Sequence, residues 1–309
     1  MTKQDWFLPL AYDIAQAFAQ HYVPALDAEL TARGLGWPDV GALQAAMAAD
    51  PAPLTAARNA ARVPYHAEAA LEAELAAAAA HGVLAADGRG GYRPTDLGRE
   101  VYRTAMGLVA QTAAKLSDRV PAGTGRLADL LGQVVAACEA ADIDTPSLAF
   151  SRTFDPGPGA PPMARVRRYN QDLIIFRDDA HVAAWRPYGV SGHAWEAFSH
   201  VWGDNVWGDR VATAAALAEK LGFRGYGEAE YAAALADLAA RGWLAADGDA
   251  YGLTDAGRAL REAAEDATDA HFFGPWPLGA AEAAEMRGLM EALRDALAAD
   301  GGASAPAAG

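Results

Sequence analysis

The chain is short of several things that would make a function easy to read. Its single cysteine, Cys138, excludes an internal disulfide and fits a reducing compartment. The setting Val-Val-Ala-Ala-Cys-Glu-Ala is that of a packed thiol inside a helix rather than of a nucleophile. No apolar run approaches the ~18–20 residues of a membrane span. The opening Met-Thr-Lys-Gln-Asp-Trp lacks the basic-then-apolar order of a signal peptide, so a cytoplasmic location and no membrane partner are expected. Basic residues are scarce, with 25 Lys and Arg against 40 Asp and Glu and a formal net charge of −15. Nucleic-acid affinity draws largely on Lys and Arg at phosphates, so DNA binding would need a local basic patch. Phosphate loops, dinucleotide-type glycine fingerprints and serine nucleophile elbows are all missing, and no cofactor is expected.

What is present occurs twice. Residues 82–99 read Gly-Val-Leu-Ala-Ala-Asp-Gly, a short insert, then Tyr92, Thr95, Asp96, Gly98 and Arg99. Residues 242–258 read Gly-Trp-Leu-Ala-Ala-Asp-Gly, a shorter insert, then Tyr251, Thr254, Asp255, Gly257 and Arg258. So dense a match at so long a separation points to an internal repeat. Each copy reads as a helix end, a two-stranded ribbon and a new helix. Gly82 and Gly242 suit a helix C-cap, and Asp87-Gly88 and Asp247-Gly248 suit a hairpin turn. Thr95 and Thr254 are placed to N-cap the next helix, with Asp96 and Asp255 in its first turn.

Upstream of each ribbon lies a pair of short helices. In the first copy these are Leu54–Arg62 and His66–Ala80, with Val63-Pro64-Tyr65 as the turn. In the second they are Thr213–Leu221 and Glu228–Arg241, with Phe223–Gly227 as the turn. The two stretches resemble winged helix-turn-helix units of the MarR type, in tandem, over about 53–118 and 212–272. The second half also resembles an actinobacterial group of winged-helix proteins that has no well-defined activity. The resemblance implies a mainly α fold with two small β-hairpin wings plus additional helices in a pseudo-twofold arrangement. It also implies a recognition helix for the major groove and a small-molecule pocket. A monomeric pseudo-dimer or a homodimer would then present two such units.

The organisation expected is a first region over 1–154, a Pro/Gly linker over 155–164, a second region over 165–299 and a disordered tail over 300–309. Ser147–Phe154 reads as a short strand. Recognition chemistry is weak in both units. The helix after the first turn carries Glu68, Glu72 and Glu74 without Lys or Arg, and that after the second carries Glu228, Glu230 and Asp237 with Arg241 only at its end. Base edges and phosphates call for Arg, Lys, Asn, Gln, Ser or Thr. The first wing has Arg89 and Arg93 beside Asp87, and the second has Asp247 and Asp249 with no base. DNA is therefore a disfavoured partner.

His193, Glu196 and His200 share a helix face, but at ~1.5 Å rise per residue the two histidines stand about 10 Å apart. With Trp195, Phe198 and Trp202 beside them, buried hydrogen-bonded histidines are the plainer account, and no metal site is expected. Asp178, Asp179 and His181 form a second acid–imidazole group, and Arg165, Arg167 and Arg168 a basic one. Tryptophans 185, 195, 202, 207 and 243 gather in the second half, where a ligand pocket and a solid aromatic core are both open readings. The pocket reading takes Tyr169, Trp185, Arg186, His193, Trp195, His200 and Trp202 as ligand-binding residues. The expectation is thus a tandem winged-helix protein that binds a small molecule or a protein partner, with DNA recognition weakened or lost. The alternatives are a ligand-responsive DNA-binding transcription regulator and an enzyme using the His193/His200/Asp178 region.

Overall fold

The computed structural model describes residues 4–203 and 210–302. Trp207 and most of the Gly203–Asp209 loop lie outside the described residues, as do residues 303–309 of the expected tail. The chain opens with α1 (Phe7–Ala19) and α2 (Val23–Ala32). It continues with α3 (Trp37–Ala49), α4 (Ala56–Arg62), α5 (Glu68–Ala80), the hairpin β1 (Leu84–Ala86) and β2 (Tyr92–Pro94), α6 (Asp96–Ser117) and α7 (Thr124–Glu139). After α8 (Pro146–Arg152) come α9 (Pro162–Trp185), α10 (Gly192–Trp202), α11 (Ala214–Lys220) and α12 (Glu228–Ala240). The hairpin β3 (Leu244–Asp247) and β4 (Ala250–Leu253) leads into α13 (Asp255–Phe273) and α14 (Ala280–Gly302), which runs past Ala298 into the expected tail.

The order of elements from α3 to α7 is met again from α10 to α14. Both sets include a single bridge to the hairpin just ahead of the short helix, Leu54 to Tyr92 in one and Thr213 to Ala250 in the other. Local chemistry explains the likeness. Thr55 and Thr213 accept the backbone N–H of Arg58 and Ala216 and so cap α4 and α11. Thr95 and Thr254 accept from Gly98 and Gly257 at 3.0 Å while donating to the carbonyls of Gly82 and Gly242 at 2.7 Å. Each threonine thereby ties a helix start to the end of the helix before the hairpin. Gly82 and Gly242 take φ of 79° and 76°, which a side chain would resist. A Cβ on Gly98 or Gly257 would run into the carbonyl oxygen of Val83 or Trp243, so these two glycines let strand and helix touch.

Ser147–Phe154 is not a strand, because α8 occupies most of it. Pro146 suits a helical first turn, and the Asp179 carboxylate, reaching over from α9, accepts the N–H groups of Ser147 and Leu148 at 3.0 and 2.8 Å.

Among the described residues, three apolar clusters hold the chain. The central one joins α1, α7, α9 and α14 with parts of α6, α8 and α13, through Phe7, Phe18, Leu131, Val134, Leu173, Phe176, Phe272 and Met290. A second lies among α2, α3, α5, the first hairpin and the start of α6, and is built from Leu, Val and Ala with Tyr92. The third lies among the end of α9, α10, α11, α12 and the second hairpin, and is built on Trp185, Trp195, Phe198 and Tyr231. Helix α9 packs against α1, α6, α7, α8 and α13 and so serves as a spine.

Candidate nucleic-acid interface

Helix α12 stands where a helix-turn-helix unit carries its reading helix, and α5 holds the same place in the earlier run of elements. The buried side of α5 is Leu71, Leu75 and Ala78, and that of α12 is Tyr231, Ala234, Leu235 and Leu238. The remaining faces are exposed. On α5 they present Glu68, Ala69, Ala73, Glu74, Ala76 and Ala77. On α12 they present Glu228, Ala229, Glu230, Ala232, Ala233 and Asp237. Carboxylates on such faces repel phosphate, and alanine methyls donate no hydrogen bond to a base edge. Glu72 is engaged on its own hairpin, where its carboxylate accepts the Tyr92 hydroxyl at 2.5 Å. Asp87 folds back on the first hairpin turn and accepts the N–H groups of Arg89 and Gly91.

The turns ahead of the two helices meet each other. The N–H of Ala67 donates to the Arg224 carbonyl at 2.8 Å. The ring of His66 lies 6.1 Å from that of Phe223. Arg224 is the hub of this contact. Its guanidinium holds Glu196 of α10 through Nε and Nη2, with the shortest distance 2.8 Å, donates from Nη1 to His66 Nε2, and lies over the rings of Tyr65 and Phe223. Both side chains of the ion pair are largely buried, at 15% and 8% exposure. Burial pushes the Glu196 carboxyl up more strongly than Arg224 pulls it down. His66 is pushed down to about 4 by burial and then by the nearby guanidinium charges, so it stays neutral and accepts from Arg224. Reading helices contact bases with their N-terminal residues, and here the residues just ahead of α5 are engaged with the second turn.

Of the residues expected to form one ligand site, Trp185 and Trp195 stack and Arg261 lies over both Trp195 and Trp202, while Tyr169 belongs to a different cluster. Tyr169 belongs to the central cluster, beside Gly132 and under the Arg152 guanidinium. Trp195 is fully buried, with Trp185 stacked on it at 5.9 Å and Tyr188 at 5.7 Å, and with Arg261 over its ring at 4.5 Å. Arg261 also covers Trp202, at 4.7 Å. These neighbours fill the space around Trp195 that a ligand would need. His193 stacks on Tyr226 at 4.2 Å, His200 is fully buried, and Glu196 turns to Arg224, so the helix-face trio does not converge. Arg186 lines a cleft of about 460 Å³ between α4, α8 and α9, and Trp202 lines an acidic one of about 440 Å³ with Glu262, Glu265, Asp266 and Asp269.

The acid–imidazole group is likewise dispersed. Asp178 is exposed, and Asp179 caps α8. His181 Nε2 accepts the Trp195 indole N–H at 3.1 Å, and its Nδ1–H donates to the Thr268 oxygen at 3.2 Å. Burial, with Arg261 and Arg177 nearby, pushes His181 down to about 3. A histidine neutral at both partners is a structural link rather than a base. Arg165 and Arg168 pair with Asp129 and Asp172, and Arg167 lies over Phe18. Sequence reasoning missed Arg224 and His66, whose local setting in Phe-Arg-Gly-Tyr and Tyr-His-Ala gives no sign that they meet.

Residues 176–304 match a helix-turn-helix family. The match covers α10 to α14 and the end of α9, and this part of the chain carries a helix-turn-helix domain. No curated protein and no solved structure matches the chain. None of the helices among the described residues is long and apolar enough to cross a membrane.

Proposed function

We propose that this is a tandem, MarR-like winged-helix protein in which the two units face each other about a pseudo-twofold. On this reading its function is to bind a small molecule or a protein partner rather than to read DNA sequence. The observation that carries the loss of reading is the chemistry of α5 and α12: their outward faces hold alanine and carboxylates and no base. Two contacts support the twofold. The turn at 63–67 meets the turn at 222–227, and α7 packs against α14, its counterpart in element order. A twofold sets like against like in this way. The test is fluorescence anisotropy of the full chain with random duplex DNA at about 50 mM salt, where nonspecific phosphate contacts would show. No binding is expected. Micromolar binding that weakens steeply with salt would reject the reading.

A second reading, a DNA-binding regulator, is favoured by the helix-turn-helix match itself. It requires bases outside the reading helices, for which Arg89 and Arg93 of the first hairpin are the exposed candidates. Salt-dependent binding lost on replacing those two would establish it.

A further inference from the structure

Between α3, α4 and α8 lies a second cleft, of about 390 Å³, adjoining the one at Arg186 through Ala61, Arg62 and Pro146. Its wall is apolar where Ala49, Leu54 and Phe150 face it, and its polar groups include Arg58, Arg62 and Asn59. No Asp or Glu lines it, in a chain whose acids outnumber its bases by 40 to 25. Other partly buried arginines, Arg152, Arg168 and Arg224, are neutralised by carboxylates of the same chain. Arg58 and Arg62 have no carboxylate within ion-pair distance among the described residues. Arg62 lies with its guanidinium 4.3 Å from the Phe150 ring centre and donates to Asn59 Oδ1 at 3.0 Å. That leaves further N–H groups of the fork for another acceptor.

We propose that this cleft binds a small carboxylate with an apolar body, the carboxylate meeting Arg62 and Arg58 and the body lying along Ala49, Leu54 and Phe150. The physical reason is a partly desolvated charge with no direct ion pair, the nearby Asp179 carboxylate being turned to the N–H groups of Ser147 and Leu148. Burial lowers the pKa of Arg62, with Asp179 nearby acting only the other way. An incoming carboxylate relieves that cost and gains a planar, two-pronged partner. A site of a few hundred Å³, largely apolar with a few placed polar groups, is the usual form of a small-molecule pocket. The volume suits a body of several carbons. The proposal specifies the small-molecule part of the functional reading, yet it stands on the cleft alone. Its failure and a failure of the DNA titration are therefore separate results.

The test uses the full chain and three probes by titration calorimetry: octanoate, octanol as its neutral counterpart, and inorganic phosphate as a bare anion. Octanoate is expected to bind at least tenfold more tightly than octanol, with phosphate giving no heat. Arg62→Met should remove that tenfold preference. Arg58→Met, at an exposed position, should lower it severalfold. Arg186→Met, which alters only the adjoining cleft, should leave it unchanged. Octanol binding as well as octanoate, phosphate matching octanoate, or full affinity retained in Arg58→Met would each overturn the site.

Discussion

Helices α3 and α10 hold the same place in the order of elements, yet they pack by opposite means. Helix α10 brings Trp195, Phe198 and Trp202, and these rings meet Trp185, Tyr188 and Arg261 with no gap at Trp195. Helix α3 brings Ala45, Ala48 and Ala49 to the wall of a cleft of about 390 Å³. The surroundings of Trp195 are therefore filled and the alanine positions of α3 line open space, while Trp202, at the end of α10, borders a cleft of its own. A ring supplies area for a ligand only if other rings do not reach it first. A methyl cannot fill the distance between two helices set apart by other contacts.

The comparison can be broken most directly at its filled side. Trp195→Ala should cost about 3–5 kcal/mol in urea denaturation, the range for emptying a packed aromatic position. Ala48→Leu, which points into existing space on the open side, should change stability by less than about 1 kcal/mol. If the two changes cost the same, the contrast between filled and open regions is wrong.

The next effect sharpens how the two regions are held together. Arg224→Ala strands the buried Glu196 carboxylate and removes the donor to His66. Loss of one partner of a buried pair points to a cost of about 3 kcal/mol. Adding Glu196→Gln to that variant should recover part of the loss, because an amide is cheaper to leave unpaired than a charge. No recovery would place the contact's value in the rings of Tyr65 and Phe223 instead.

The smallest effect is in pH. His66 is held near about 4 in the folded chain against an ordinary 6.5. Between those values the unfolded chain binds the extra proton, so stability falls as pH drops from 6.5 toward 4. One such histidine contributes a slope of at most ~1.4 kcal/mol per pH unit. His66→Gln keeps an acceptor for Arg224 and removes the titration, so its stability should depend less on pH across that window. His181 and His193 are also held low but are present in both proteins, and they drop out of the difference. Identical pH dependence would mean that His66 titrates normally and the contact is open to water.

Much of the local structure was legible beforehand. The caps at Thr95 and Thr254, the turns at Gly88 and Gly248 and the reading-type helices all follow from short-range rules, and the structure places them within a few residues of the expected positions. The strand expected at Ser147–Phe154 failed because its helix is capped by Asp179, a residue about thirty positions away that no local pattern connects to it. Tyr169, grouped in sequence with Trp185, His193, Trp195 and His200, packs in a different cluster for a related reason. Composition reports that rings are near in sequence, not which faces they share.

What the sequence by itself determined here is whatever depends on neighbours along the chain: element type, caps, glycine turns, and the acidic, alanine-rich faces of α5 and α12. Those faces are set by helical spacing and keep their chemistry whatever surrounds them. The tertiary structure alone decided which space stays empty and which charges lose their water. Arg62 and Arg224 are the same residue type, one ending the short helix α4 and the other following the short helix α11. Arg224 meets Glu196 across 28 residues and Arg62 meets Phe150 beside a cleft. Burial and pairing are properties of the packed arrangement of helices, so the difference between a structural arginine and a ligand-binding one appears only when α4, α8, α9 and α10 are brought together.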